Sequence, residues 1–185
     1  MRDFLYSEIS QIEGMANIPD DPDLAIKAGT KLCETLLEPL NATFGRIGIR
    51  SAFRAQAVNA IGAANKNQYN CSANEASYAN HIWDKLDGNG QMGAMATIVI
   101  PRFIDRYDPR TDWRRLAWWI HDHLPYSEMC FYPKLAAFNL GWHEDPQRRI
   151  YSYVAPKGLL TKTGYATQNG DHSQWFPGFP ALIDP

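Results

Sequence analysis

The stretch Phe138–Asn139–Leu140–Gly141–Trp142–His143–Glu144–Asp145–Pro146 decides how the chain is read. Phe138, Leu140 and Trp142 alternate with Asn139, Gly141 and His143, the period-two pattern of a half-buried strand. On such a strand His143 and Asp145 share one face and Glu144 takes the other. An imidazole and a carboxylate at the end of a buried strand suit a metal ligand with a supporting acid. They suit equally well a histidine satisfied by its neighbours, and the stretch alone leaves both readings open.

Working outward, Arg148–Val154 alternates like a hairpin partner of this strand, and Pro156–Lys157–Gly158 closes it. Arg46–Ser51 reads as a short strand, and the apolar run Ala94–Ile100 as another. Leu24, Ala28, Leu32, Leu36 and Leu40 describe one face of an amphipathic helix over 24–44. Asp23 is placed to cap its start, and Pro39 to end or kink it near the last turn. Short helices are expected over 3–13 and 54–65. A third spans 111–123, capped by Thr111 or Asp112 and stopped by Pro125. Such helix faces need a sheet to bury against. The expected fold is α+β, with helices packed on a small, mainly antiparallel sheet of residues 46–51, 94–100, 138–143 and 149–154. Residues 1–23 read as a lead-in, 24–160 as the domain and 161–185 as an extended C-terminal arm.

A chain of 185 residues suffices for one real core and not for two comfortable ones. With 45% hydrophobic and 21% charged residues it has the balance of an ordinary globular protein. A net charge of -2 gives no support to nucleic-acid binding, and no apolar run is long enough for a transmembrane segment. The start, Met1–Arg2–Asp3–Phe4, has no basic-then-apolar signal region, so synthesis in a cytoplasm without a signal peptide is expected. Three widely spaced cysteines, Cys33, Cys71 and Cys130, argue for free buried thiols over a disulfide framework.

The segment Ile49–Arg50–Ser51–Ala52–Phe53–Arg54 through Gly62 resembles a motif of the zinc D-alanyl-D-alanine carboxypeptidases, the M15 peptidase group whose fold Hedgehog domains share. The resemblance covers roughly residues 24–155. It implies a Hedgehog/DD-peptidase-like fold, with Arg54 contacting substrate and Ser51 beside it. Gly93–Ala94–Met95–Ala96–Thr97 resembles the family strand that carries a zinc aspartate, with Thr97 at the aspartate's place and Gly90 at the zinc histidine's. His143–Glu144–Asp145 matches the family's later His-x-Asp. Leu140 stands where a general base is expected, and Glu144, on the opposite face, is a weak substitute. Threonine is a poor zinc ligand, so of the zinc-and-base set only His143 keeps its place.

A site could be rebuilt from His81, Asp84 or Asp87, and His143, a His₂Asp set. Asp87–Gly88–Asn89–Gly90 also resembles a hard-cation loop, although Asp-Gly and Asn-Gly are common turn dipeptides. His121 and His123 read as a helix-end cap and a surface histidine, and Trp118 and Trp119 as packing. Beyond Thr161, the aromatics Tyr165, Trp175, Phe176 and Phe179 suggest an arm laid on its own domain or on a neighbouring subunit of a homo-oligomer.

Three functions follow as expectations. The first is a catalytically degenerate peptidase-like domain that binds an envelope glycan, peptidoglycan or peptide, or that serves as a virion-associated part of a phage-like particle. In that reading no cofactor is expected. The second is an active zinc-dependent peptidoglycan carboxypeptidase or endopeptidase with shifted ligands. The third is a purely structural oligomer tied together by its arm.

Overall fold

A computed structural model describes residues 2–105, 113–134 and 136–185. Its centre is the strand β4, Phe138–His143, which has neighbours on both sides. β2, Gly93–Val99, runs antiparallel to it, with Gly93 opposite His143 and Thr97 opposite Asn139. On its other side β3, Glu128–Phe131, is also antiparallel, pairing Cys130 with Asn139. With β1 (Gly48–Ser51), β5 (Arg149–Ser152) and β6 (Gly158–Thr161), these make one six-stranded sheet in the order β1-β2-β4-β3-β5-β6. The α+β class and the mainly antiparallel sheet are as the patterning predicts.

The hairpin expected between β4 and β5 is replaced by a different connection. β5 pairs parallel with β3, Glu128 opposite Arg149, and antiparallel with β6. The alternation of residues 149–152 marks a strand with one buried face, but such a pattern carries no information about which neighbour it pairs with.

The pleat divides the sheet into two chemically different faces. Ala94, Ala96, Ile98, Phe138, Leu140, Met129 and Ile150 are fully buried on one of them. The helix α3, Pro22–Leu32, packs over that face, with Ala25, Ala28 and Leu32 turned inward. Its N-cap is Asp21, whose carboxylate accepts from the Leu24 N–H at 3.0 Å, two residues ahead of the expected cap Asp23. The helical path then widens into a π-helical turn, Cys33–Leu37, before α4, Glu38–Phe44. Pro39 has no N–H to donate one turn back, and the wider turn before it absorbs the defect so that the path continues to Gly45.

At the N-terminus the expected helix over 3–13 is two pieces, α1 (Arg2–Leu5) and α2 (Glu8–Glu13). Ser7 breaks it by acting as the N-cap of α2, accepting from Ser10 N at 3.3 Å. This lead-in is tied to the domain, since Phe53 N donates to Phe4 O at 3.1 Å and the Asn17 amide donates to Phe53 O at 2.9 Å. The helices α5 (Gln56–Ala64), α6 (Lys66–Tyr69), α7 (Pro101–Asp105) and α8 (Arg114–His123) complete the set. The caps expected at Thr111 or Asp112 lie outside the described residues. No helix among the described residues is long and apolar enough to cross a membrane.

Candidate binding cleft

The second face of the sheet is open. Thr97 of β2, Asn139 of β4, Glu128 and Cys130 of β3, and Arg149 and Tyr151 of β5 share it by register. The far wall is the segment after α6, held by Asn59, whose amide donates to Ser72 O and Asn74 Oδ1, each at 3.0 Å. Gly62 lets this wall close in, because a Cβ there would lie 2.6 Å from Cys71 Sγ. Between wall and sheet lies a polar cleft of about 570 Å³, into which Arg54, His81, Glu128, Tyr132, Arg149 and Tyr153 open, among others.

Arg54 is the most constrained of these. Its backbone N–H donates to His81 O at 2.8 Å, and Nη1 donates to Cys71 Sγ at 2.7 Å. Its Nε is buried without a partner, and burial holds the guanidinium's pKa below the usual value. A buried charge with an idle donor carries a desolvation cost that only a ligand or water can offset. His81 lies beside it. Its Nδ1 faces Ala52 O at 2.9 Å, and burial, helped by the Arg54 charge, lowers its pKa to about 3. The ring is therefore neutral, with Nδ1–H donated and Nε2 left as an acceptor.

Sequence reasoning missed the β3 contribution. Burial raises the Glu128 carboxyl above its ordinary range, opposed by Arg149, whose Nη1 is 3.8 Å away. Burial likewise pushes the Cys130 thiol up to about 11. The signal was present in Glu128–Met129–Cys130–Phe131–Tyr132, where Met129 and Phe131 are buried and the residues between them line the cleft.

The remaining expected site residues are scattered. His143 Nε2 lies 3.4 Å from Asp87 Oδ2, and its Nδ1 accepts from Asp145 N at 3.0 Å. Asp87 Oδ1 accepts from Asn89 N and Gln91 N, both at 2.8 Å, and the Gln91 N–H first among several causes lowers its pKa. Asp87–Gly90 is thus a self-capped turn. Asp84 Oδ2 accepts from Asp20 N at 2.6 Å. Glu144 is engaged with the start of β2, accepting from Met92 N at 2.8 Å. Ser51 pairs with Thr97 in the β1–β2 ladder and lies outside the cleft lining. His81, His143 and a carboxylate do not converge on one point: among the described residues, the group of donors that meets closely enough for one ion lies elsewhere.

At the places where the resemblance implies a zinc aspartate and a general base, Thr97 and Leu140 do not supply them. Thr97 Oγ1 donates to Asn139 Oδ1 at 2.6 Å, a neutral pair that satisfies itself, and Leu140 is fully buried on the opposite face. No protein-family model matches the chain, and neither a curated protein nor a solved structure matches it.

Proposed function

We propose that the chain is a peptidase-like domain whose catalytic set has degenerated and whose polar cleft binds an anionic ligand, of the kind a peptide or an envelope peptidoglycan stem presents as a carboxylate. The observation that carries this reading is the buried Arg54 guanidinium with its unpartnered Nε beside a cleft of about 570 Å³. Planar guanidinium and carboxylate pair through two parallel hydrogen bonds, and a turn of the Arg54 side chain, whose Nη1 now donates to Cys71 Sγ, would bring its idle Nε to such a ligand. Glu128 and Arg149 supply polar contacts along the cleft, and Tyr132 and Tyr153, stacked with ring centroids 5.9 Å apart, supply flat apolar surface at its side. The self-satisfied Thr97–Asn139 pair and the buried Leu140 favour binding over hydrolysis. In a phage-like particle or at an envelope the same cleft would serve for attachment.

Calorimetric titration with a D-alanyl-D-alanine-ended stem peptide tests this, together with the same peptide amidated at its C-terminus. Binding of the free acid is expected, with amidation or Arg54→Gln each weakening it roughly 10- to 100-fold, the scale of one charge-assisted contact. Equal affinity for acid and amide, or release of alanine during the titration, would refute the reading.

A further inference from the structure

Away from the cleft, His121 and Asp122 at the end of α8 meet His172 on the arm that crosses it. One donor atom from each lies within 4.8 Å of the others, and among the described residues this is the group whose donors converge. His121, expected to be a helix-end cap near the surface, is in fact buried, as is His172, and the Asp122 side chain is 16% exposed although the residue as a whole is exposed. His172 has one nitrogen held from outside the group and His121 has both. His172 Nε2 faces Thr167 O at 3.1 Å, while His121 Nδ1 is 2.7 Å from the Tyr126 hydroxyl, which donates onward to Arg148 O at 3.2 Å. Outer hydrogen bonds of this kind orient metal-binding imidazoles and leave the other nitrogen for the ion. The nitrogens that would face an ion are His172 Nδ1, 2.6 Å from Asp122 Oδ1, and His121 Nε2, which would exchange its weak contact with Gln168 O, 3.2 Å away, for the metal. Asp122 Oδ2 is anchored separately by the His172 backbone N–H at 2.9 Å.

We propose that His121, Asp122 and His172 form a binding site for a divalent transition metal, best suited to zinc, that clips the arm to α8. Two imidazoles and one carboxylate are a zinc donor set, with a water in the remaining position. A surface hollow of about 350 Å³, lined by Gln168, Gly170 and Asp171 as well, leaves room for that water. Tetrahedral zinc at 2.0–2.1 Å holds its ligand atoms about 3.3 Å apart. The group must therefore draw in, and the His172–Asp122 contact must open slightly, movements within reach of side-chain rotation. Arg148 is the nearby cation, and its guanidinium is already committed to Leu124 O and His121 O, both at 2.7 Å. Trp118, stacked 4.0 Å from the His172 ring, shields the site from the other side.

The test uses the full chain, stripped with chelator, dialysed and titrated with zinc, with bound metal measured after gel filtration. About one equivalent is expected to be retained, with Asp122→Asn and His172→Gln each weakening binding at least ~10-fold and His143→Gln leaving it unchanged. In case a variant fails to fold, X-ray absorption at the zinc edge of the unaltered chain gives an independent reading, two imidazoles and no sulfur being expected. Absence of retained zinc, retention undiminished by Asp122→Asn and His172→Gln in folded protein, loss with His143→Gln, or a sulfur-containing shell would each overturn the proposal. The first outcome would leave the group as a hydrogen-bonded ion pair. Loss with His143→Gln would instead place metal at the His143–Asp87 pair and count against the degenerate reading.

Discussion

His81 carries a proton problem that its sequence neighbours do not reveal. The spacing of His81, Asp84 and Asp87 suggested ligands; the fold instead puts the ring under Ala52 and beside the Arg54 charge. Its pKa of about 3, against a usual 6.5, means that the folded chain refuses a proton the unfolded chain accepts. Above pH 6.5 both states are neutral and nothing is lost. Between about 6.5 and 3 only the unfolded state is protonated, so stability falls as pH falls through that window. At pH 4.5 the loss attributable to His81 is at most about 2–3 kcal/mol. His81→Asn keeps a donor for Ala52 O and removes the titration. Urea unfolding at pH 7 and 4.5 should therefore show a smaller acid loss in the variant than in the parent, and equal losses would mean that His81 is accessible to protons in the folded chain. Arg54 stood out in the sequence and lines the cleft, whereas His143 stood out equally and lies outside it, and Glu128 and Cys130 belong to a four-residue strand too short to stand out.

β4 was legible because Phe138, Leu140 and Trp142 alternate with Asn139, Gly141 and His143, and β2 because it is an apolar run of strand length. β4 has the expected bounds and β2 starts and ends one residue early, while the parallel β3–β5 pairing was hidden because pairing depends on long-range chain path. The π-helical turn was equally hidden; Pro39 advertised a defect but not its form. What holds β2 against its neighbours at one end is close backbone approach. A Cβ on Gly93 would lie 2.3 Å from Ala79 O and 2.7 Å from His143 Cδ2, and a backbone oxygen cannot swing aside as a side chain can. Gly93→Ala should therefore cost at least ~2 kcal/mol by forcing β2 away from Ala79. Gly88, with nothing within 4 Å of an added Cβ, is the matched control in the same region. Thermal unfolding of the two variants should show a clear drop for Gly93→Ala and little change for Gly88→Ala. Similar midpoints would mean that the strand and the Ala79 turn can part freely.

At the scale of the molecule the open question in the sequence was where the aromatic arm lies. The expected lack of long regular structure is observed: beyond Thr161 there are two short 3-10 turns, 166–168 and 173–175. The arm lies on its own domain. Arg115 donates through Nε to Trp175 O at 3.2 Å and through Nη2 to Pro177 O at 2.8 Å. Trp119 Nε1 donates to Pro180 O at 2.9 Å, and Ile183 N to Thr43 Oγ1 at 3.0 Å. Arg114 and Arg115 sit over the Trp175 and Phe179 rings, at 4.6 and 5.1 Å, and Phe179 meets Phe44 edge-on at 6.0 Å. Composition could say that these aromatics needed a surface, but not which one, because that depends on a helix 60 residues earlier being exposed on the matching side. An arm whose carbonyls are taken up by α8 and whose rings cover Phe44 is spent within its own chain, which weighs against its serving as a tie to a neighbouring subunit. Ending the chain after Thr163 should therefore expose the Trp118–Trp119 surface, cost at least ~2 kcal/mol from lost aromatic burial, and promote self-association. Sedimentation and thermal unfolding of the shortened chain check both parts. A monomer with an unchanged midpoint would show that the arm's contacts contribute nothing to the fold. Dissociation of an oligomeric parent into stable monomers would instead return the arm to the role of an intersubunit tie.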